Sequence, residues 1–258
     1  MKLSVLILIQ NEEEMIEDCL KQLSFADEII VLDQNSVDST VKIAKKYATK
    51  ILATNFSDFD KNRNLLAKEA KGEWFLYLDA DERLTQDSVG EIKKAIGNGR
   101  YSAFYFPRKN IILGRWLKHG GWWPDYSPRL FKKKNLVTWK GKVHESPEIH
   151  GQFGYFENPI EHLSGRSLSQ MFNKTIKWAK IEAELFYEAN NPKVTIWRLF
   201  KSSTLEFFSR YIIKFGFLDG VVGLIEAIYQ ALHKAIIYTY LWEMQNETKE
   251  KFKQAKYL

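Results

Sequence analysis

Four short apolar runs, spaced by stretches of helical periodicity, constrain this chain more than any other feature. They are LSVLILI (3–9), EIIVLD (28–33), KILA (50–53) and WFLYLD (74–79). None alternates polar with apolar, so each reads as a strand buried on both faces. Between the first two, Met15, Ile16, Cys19, Leu20 and Leu23 recur at helical spacing. Asn11 with Glu14 forms a capping pair that predicts a helix start near residue 12. Asp38 caps a second helix running to about Tyr47, and a third spans Asp60 to Ala70, stopping before Gly72. Buried strands alternating with helices predict an α/β fold with a mostly parallel sheet covered on both sides. Such sheets bind ligands beyond the carboxyl ends of their strands. Asn11, Asp33 and Asp79 stand at or just past three of those ends.

The fourth run continues as LYLDADERL, placing Asp79 and Asp81 one residue apart where the strand stops, with Glu82 behind them. Side chains two apart on a strand share a face, and a turning chain end can bring both carboxylates to one cation. Hard oxygen donors suit Mg²⁺ or Mn²⁺, ions that keep water and accept substrate phosphate oxygens. The pair points to a metal holding a diphosphate; the competing account is an acidic loop capping the next helix. Glu82 reads as local scaffolding.

From residue 100 the texture changes to short strands dense in aromatic and basic residues. Residues 100–142 hold eleven Lys or Arg against a single acid, Asp125. That imbalance calls for an anionic neighbour. Helices are predicted over 167–190, 194–213 and 218–246. The lone cysteine, Cys19, excludes an internal disulfide and suits a reducing compartment. The N-terminus reads as a strand rather than a signal peptide, so a cytoplasmic location is expected. No uncharged apolar stretch of about 18 residues occurs, which argues against a membrane-spanning helix. At 258 residues the chain fits one large domain or a domain with an appendage.

The segments LSVLILIQNEEEMIEDCL, DEIIVLDQNSVDSTVKIAKKY and KNRNLLAKEAKGEWFLYLDADERL, in this order, resemble the nucleotide-binding half of family 2 glycosyltransferases. LGRWLKHGGWWPDYSPRLF, KVHESPE and FGFLDGVVGL resemble the subgroup that builds lipopolysaccharide core and related bacterial envelope glycans. The resemblance implies a GT-A type fold and an inverting transfer of sugar from a nucleotide diphosphate donor. It implies a nucleotide-sugar-binding half over 1–99, an acceptor-side half over 100–165 and a helical extension over 166–258. Asn11 and Glu12 would line the nucleoside site, Asp33 would bind the base, and Arg63 would reach base or phosphate. Asp79 would contact ribose or metal-bound water, and Asp81 would ligate Mn²⁺ or Mg²⁺. The family often carries Ser-Gly-Ser after the second-strand aspartate; this chain has Gln34-Asn35-Ser36 there, making Asn35 a donor-site residue.

Inverting chemistry needs a carboxylate to accept the proton of the acceptor hydroxyl. Glu145 in VHES is the candidate base and Asp125 its competitor; Glu145 can equally be a surface glutamate paired with a lysine. His162 matches a place where related enzymes add an imidazole to metal or diphosphate, against the reading of an ordinary turn histidine. His144 either orients the Glu145 loop or is inert. Trp122 and Trp123 can stack on sugar rings, with Arg129 meeting acceptor phosphate, or the tryptophans can simply fill a core. In the last helix Val221, Leu224, Ile225, Ile228, Leu232, Ala235 and Ile236 form a stripe, with Glu226, Gln230 and His233 on another face. The stripe reads as core or as a contact in a homo-oligomer. Ten Lys or Arg against six acids over 193–258, among aromatic residues, give a second reading, peripheral contact with the cytoplasmic face of the inner membrane. Two further readings are a sugar-phosphate nucleotidyltransferase and a non-catalytic basic adaptor at a membrane. The nucleotidyltransferase usually has a basic glycine-rich loop where QNEEE stands, and the adaptor leaves the strand-end acids without purpose. No nucleic-acid partner is expected.

Overall fold

A computed structural model describes the backbone of residues 2–141 and 145–254, with side chains up to 246. Lys142 and His144 lie outside the described residues. The chain divides into two compact units, Met1–Lys109 with Pro124–Leu163, and Asn110–Trp123 with Ser164–Leu258. The sequence reading grouped 110–123 with the sheet; these residues belong with the C-terminal helices.

The predicted strands are β1 (Leu3–Ile9), β2 (Glu28–Asp33), β3 (Lys50–Ala53) and β4 (Trp74–Asp79). They pair in parallel in the order β3-β2-β1-β4. Val5, Ile7, Val31, Leu76 and Leu78 enter the core on one face; Leu6, Ile30, Leu32, Phe75 and Tyr77 enter it on the other. Two-sided burial is why the runs of β1, β2 and β4 are continuous, whereas β3, at the sheet edge, is half-buried to exposed. The helices α1 (Ile16–Lys21), α2 (Thr40–Ala44) and α3 (Phe59–Glu69) connect them. α1 begins four residues later than the capping pair predicts. Asn11 takes φ +54°, its side chain accepts a hydrogen bond from Val37 N at 2.8 Å, and it is spent on the neighbouring loop instead. Cys19 is buried in the core, and burial pushes its thiol up to about 12.

Beyond β4 the sheet becomes mixed. The remaining elements of this unit are β5 (Glu82–Leu84), α4 (Gln86–Gly97) and β6 (Ala103–Ile112). After β7 (Arg115–Trp116) in the second unit come β8 (Asp125–Lys132), β9 (Leu136–Lys140) and β10 (Ser146–Ile149). β11 (Phe153–Tyr155) and β12 (Ile160–Gly165) complete the strands. β8 pairs antiparallel with β4 and β6, and β12 pairs antiparallel with β5. β9 and β10 form a separate two-stranded ribbon.

The second unit is built on α5 (Leu168–Glu188), α6 (Ile196–Phe208) and α7 (Gly220–Gln254). α5 and α7 share a small core of Ala179, Ala183, Ile237 and Leu241. By length and composition, Gly216–Asn246 is long and apolar enough to cross a membrane, although only 22% of its most apolar window is buried. The charge-free criterion applied to the sequence is stricter and passes over it. The apolar stripe predicted for α7 is only partly packed: Leu224, Ile225, Ala235 and Ile236 are half-buried. Val221, Ile228 and Leu232 are exposed, whereas Glu226 is 2% exposed.

Candidate active site

The carboxyl ends of the parallel strands lie level. Ile9 of β1 pairs with Asp33 of β2, and Leu8 pairs with Asp79 of β4. The loops after β1 and β2 are stitched together. Asn11 N donates to Ser36 Oγ at 2.9 Å, and Glu12 N donates to Thr40 Oγ1 at 2.8 Å. Asp33 is nearly buried and accepts from Ser36 N with both oxygens, at 3.2 Å each. Asn35 takes φ +57° and donates through Nδ2 to Asn55 Oδ1 at 2.9 Å. Asparagine enters the left-handed region more readily than most residues, which accounts for its standing where the family often has glycine.

At the end of β4, Asp79 lies between two guanidinium groups. Arg129 Nη2 binds Asp79 Oδ2 and also Glu82 Oε1, the latter at 2.6 Å, and Arg63 Nη2 lies 3.7 Å from Asp79 Oδ1. Burial pushes the Asp79 carboxyl up, but Arg129 and Arg63 outweigh it and hold the group below its ordinary value. Glu82, fully buried, also accepts from Asp79 N at 3.0 Å through Oε2, fixing the turn that follows the strand.

Two expectations are corrected here. Arg129 is 3% exposed and sits beneath the carboxylates, so it is not a surface cation for an acceptor. Asp79 has both oxygens directed at arginines, a poor arrangement for a metal ligand. Sequence reasoning left Glu82 as mere scaffolding and missed what it holds. The available signal was an arginine between buried residues in SPRLF, since a buried guanidinium requires a carboxylate.

Asp81 faces a different partner. In the antiparallel pairing of β12 with β5, His162 is opposite Glu82, and Leu163 N donates to Asp81 O at 2.9 Å. His162 Nε2 thereby lies 3.6 Å from Asp81 Oδ2. A carboxylate and an imidazole are suitable ligands for Mn²⁺. Among the described residues no three Asp, Glu, His or Cys side chains converge on one point. That is compatible with an ion whose other ligands come from water and substrate, as Mg²⁺ and Mn²⁺ commonly use.

Glu145 joins the same network. Its Oε1 accepts from Arg63 Nε at 2.7 Å, and Arg63 stacks over Trp139 at 4.7 Å and Tyr77 at 5.3 Å. α3 delivers the arginine, and Asn64 beside it pins β9 by accepting from Trp139 N at 2.9 Å and donating to Trp139 O at 3.0 Å. One guanidinium thus links the candidate base to Asp79. Asp125, the competitor, pairs with Arg108 across β8 and β6 at 2.8 Å. Trp122 and Trp123 belong to the second unit. Trp122 packs with Ile112, Leu117 and Met171, and Trp123 meets Trp116 edge-on at 5.3 Å, as core-filling tryptophans do.

Comparison with known proteins agrees with this site. The profile described as Glycosyl transferase family 2 matches residues 4–163. An uncharacterized glycosyltransferase of Rickettsia conorii is 24% identical, with 96% of this chain and 92% of the relative covered. One from Rickettsia bellii is 29% identical over 86% of this chain and 80% of its own length. Among solved structures, S. aureus TarS in complex with UDP covers 96% of this chain and 92% of its own, at 16% identity and a TM-score of 0.49. Strand ends, carboxylate network and profile coincide over the same residues, and the chain belongs to glycosyltransferase family 2.

Proposed function

We propose that this glycosyltransferase is an inverting, divalent-metal-dependent enzyme. It moves a sugar from a nucleotide diphosphate donor to a bacterial envelope glycan or glycolipid such as lipopolysaccharide core. The observation that carries the reading is the Asp81–His162 pair beside the network of Asp79, Arg63 and Arg129. Family membership sets aside the nucleotidyltransferase and adaptor readings. S. aureus TarS was solved in complex with UDP, and uridine diphosphate sugars are the first donors to screen.

Asp81 and His162 would hold Mn²⁺ or Mg²⁺, and a bound ion supplies positive charge against the departing diphosphate. Arg63, at the face of Trp139, adds a fixed cation near the same carboxylates. Asn11, Glu12, Asp33 and Asn35 form the stitched rim on which base and ribose would rest. Glu145 is the preferred base over Asp125 because a single arginine connects it to Asp79. It would take the acceptor proton once donor phosphate competes with it for Arg63.

The test is a screen of nucleotide diphosphate sugars for binding and hydrolysis with and without Mn²⁺ or Mg²⁺, comparing wild type with Asp81→Ala. Metal-dependent donor binding that Asp81→Ala abolishes supports the reading. Binding that is indifferent to both defeats it. Glu145→Gln should bind donor and lose at least about a hundredfold in transfer; undiminished transfer removes Glu145 from the chemistry.

A further inference from the structure

The outward faces of α6 and α7 carry large apolar side chains. On α6 the outward positions are Ile196, Trp197, Phe200, Lys201, Thr204, Leu205 and Phe208, which share one face at helical spacing. Trp197 is 73% and Phe200 65% exposed, and no residue of this helix is buried. The half-covered side carries Arg198, Leu199, Ser202, Ser203, Glu206 and Phe207. On α7, Val221, Ile228, Leu232 and Trp242 also face outward, and the packed side holds Glu226, which accepts from Gln230 at 2.7 Å, beside Ala227, Ile237 and Leu241. In a helix surrounded by water the apolar stripe faces the core.

The chain between these helices continues the surface. A π-turn at Ser209–Ile213 leads into Phe215, held at φ +56°, a conformation that is costly for a bulky residue. Phe215, Phe217, Leu218 and Val221 are all exposed around it. Gly216 and Gly223 hold this tip closed, since a Cβ at Gly223 would collide with Gly216 O. Backbone strain and glycine packing therefore maintain a projection of apolar side chains.

Charge identifies what covers it. Between residues 193 and 221 the exposed ionisable side chains are Lys193, Lys201 and Lys214. The two acids are withdrawn: Glu206 pairs with Arg210 at 2.6 Å, and buried Asp219 accepts from His119 N at 2.8 Å. An apolar face interspersed with cations and free of exposed acids complements anionic lipid headgroups. A second copy docked on the same patch would set like charges against each other.

We propose that the outward face of α6, with the Phe215–Val221 tip, lies in the interfacial layer of an anionic bilayer. α7 does not cross it, because α5, packed along α7, carries the exposed charges Lys174, Lys177, Lys180, Glu184 and Glu188. The inference is independent of the donor and metal reading.

The test is co-sedimentation of the full chain with vesicles of phosphatidylcholine alone or mixed equally with phosphatidylglycerol. Wild type should sediment with the mixed vesicles and only weakly with phosphatidylcholine. Trp197→Ala/Phe200→Ala should lower the partition coefficient at least about tenfold, with an unchanged melting curve. Lys201→Glu/Lys214→Glu should remove the preference for phosphatidylglycerol. Three results overturn the proposal: equal sedimentation of wild type and the aromatic variant, retention of wild type in membranes through an alkaline carbonate wash, and vesicle-independent dimerisation that the aromatic variant abolishes. The wash result would mean that α7 spans, and the last that a second copy covers the face.

Discussion

Replacing Arg129 by methionine should expose how much of the site rests on one buried cation. The side chain is 3% exposed and binds Asp79 and Glu82 through the same nitrogen. Methionine fills much of the volume but leaves both carboxylates without that partner. Asp79, at 35% side-chain exposure, can draw on water and on Arg63; Glu82, at 0%, cannot. The penalty therefore falls on Glu82, and breaking a buried pair in this way costs about 3–5 kcal/mol. We expect about 3 kcal/mol, because Glu82 keeps its hydrogen bond from Asp79 N. Urea unfolding at neutral pH, followed by far-ultraviolet circular dichroism, measures it. Arg129→Met/Glu82→Gln should recover most of the loss, because glutamine still accepts from Asp79 N and buries no charge. A single variant within about 1 kcal/mol of wild type would refute the reasoning, as would a double variant no more stable than the single.

Two further perturbations test the second unit. Burial raises the Glu226 carboxyl from 4.5 to about 7, against smaller opposing effects of Gln230 and Arg210. Between those values the unfolded chain has lost the proton that the folded chain keeps, so wild-type stability falls as pH rises and levels off above about 7. Glu226→Gln should remove that slope, its advantage growing by about 3 kcal/mol across the window; unfolding curves at several pH values decide it, and a constant difference counts against it. Gly223→Ala should destabilise by at least about 2 kcal/mol, because the Cβ meets Gly216 O, a backbone atom. An unchanged melting temperature would show that the tip can open.

The parallel half of the sheet was legible because burial on both faces leaves an uninterrupted apolar run, and such runs have few other structural explanations. Strand ends could be located within a residue or so, which brought Asp33 and Asp79 to one rim. The antiparallel half was harder to read. β8 and β12 are irregular in pattern, and the register that sets His162 against Asp81 is a pairing choice that no local sequence encodes. Arg129 was misplaced because a basic segment reads as surface, and only its neighbours Leu130 and Phe131 hint that the strand is buried. On α7 the periodicity showed that two faces differ without showing which faces inward. The packed side mixes Glu226, Gln230 and His233 with Ala227, Ile237 and Leu241.

The ion pairs of the site bear on how a donor phosphate would be received. Among the described residues, Asp79, Glu82 and Glu145 are ion-paired with Arg63 and Arg129, and Asp81 lies beside His162, where a doubly anionic diphosphate would arrive. Both guanidiniums are already shared, Arg129 between Asp79 and Glu82, Arg63 between Asp79 and Glu145. Neither can serve a phosphate without surrendering a carboxylate. Arg129 is enclosed by the fully buried Glu82, so its release would strand a charge; Arg63 holds Glu145, whose side chain keeps 14% exposure. The less costly exchange is for donor phosphate to take Arg63 and free Glu145, while a divalent ion held by Asp81 and His162 would offset the remaining repulsion. The same exchange that seats the donor would then release the candidate base from its arginine, which makes proton abstraction conditional on a bound donor.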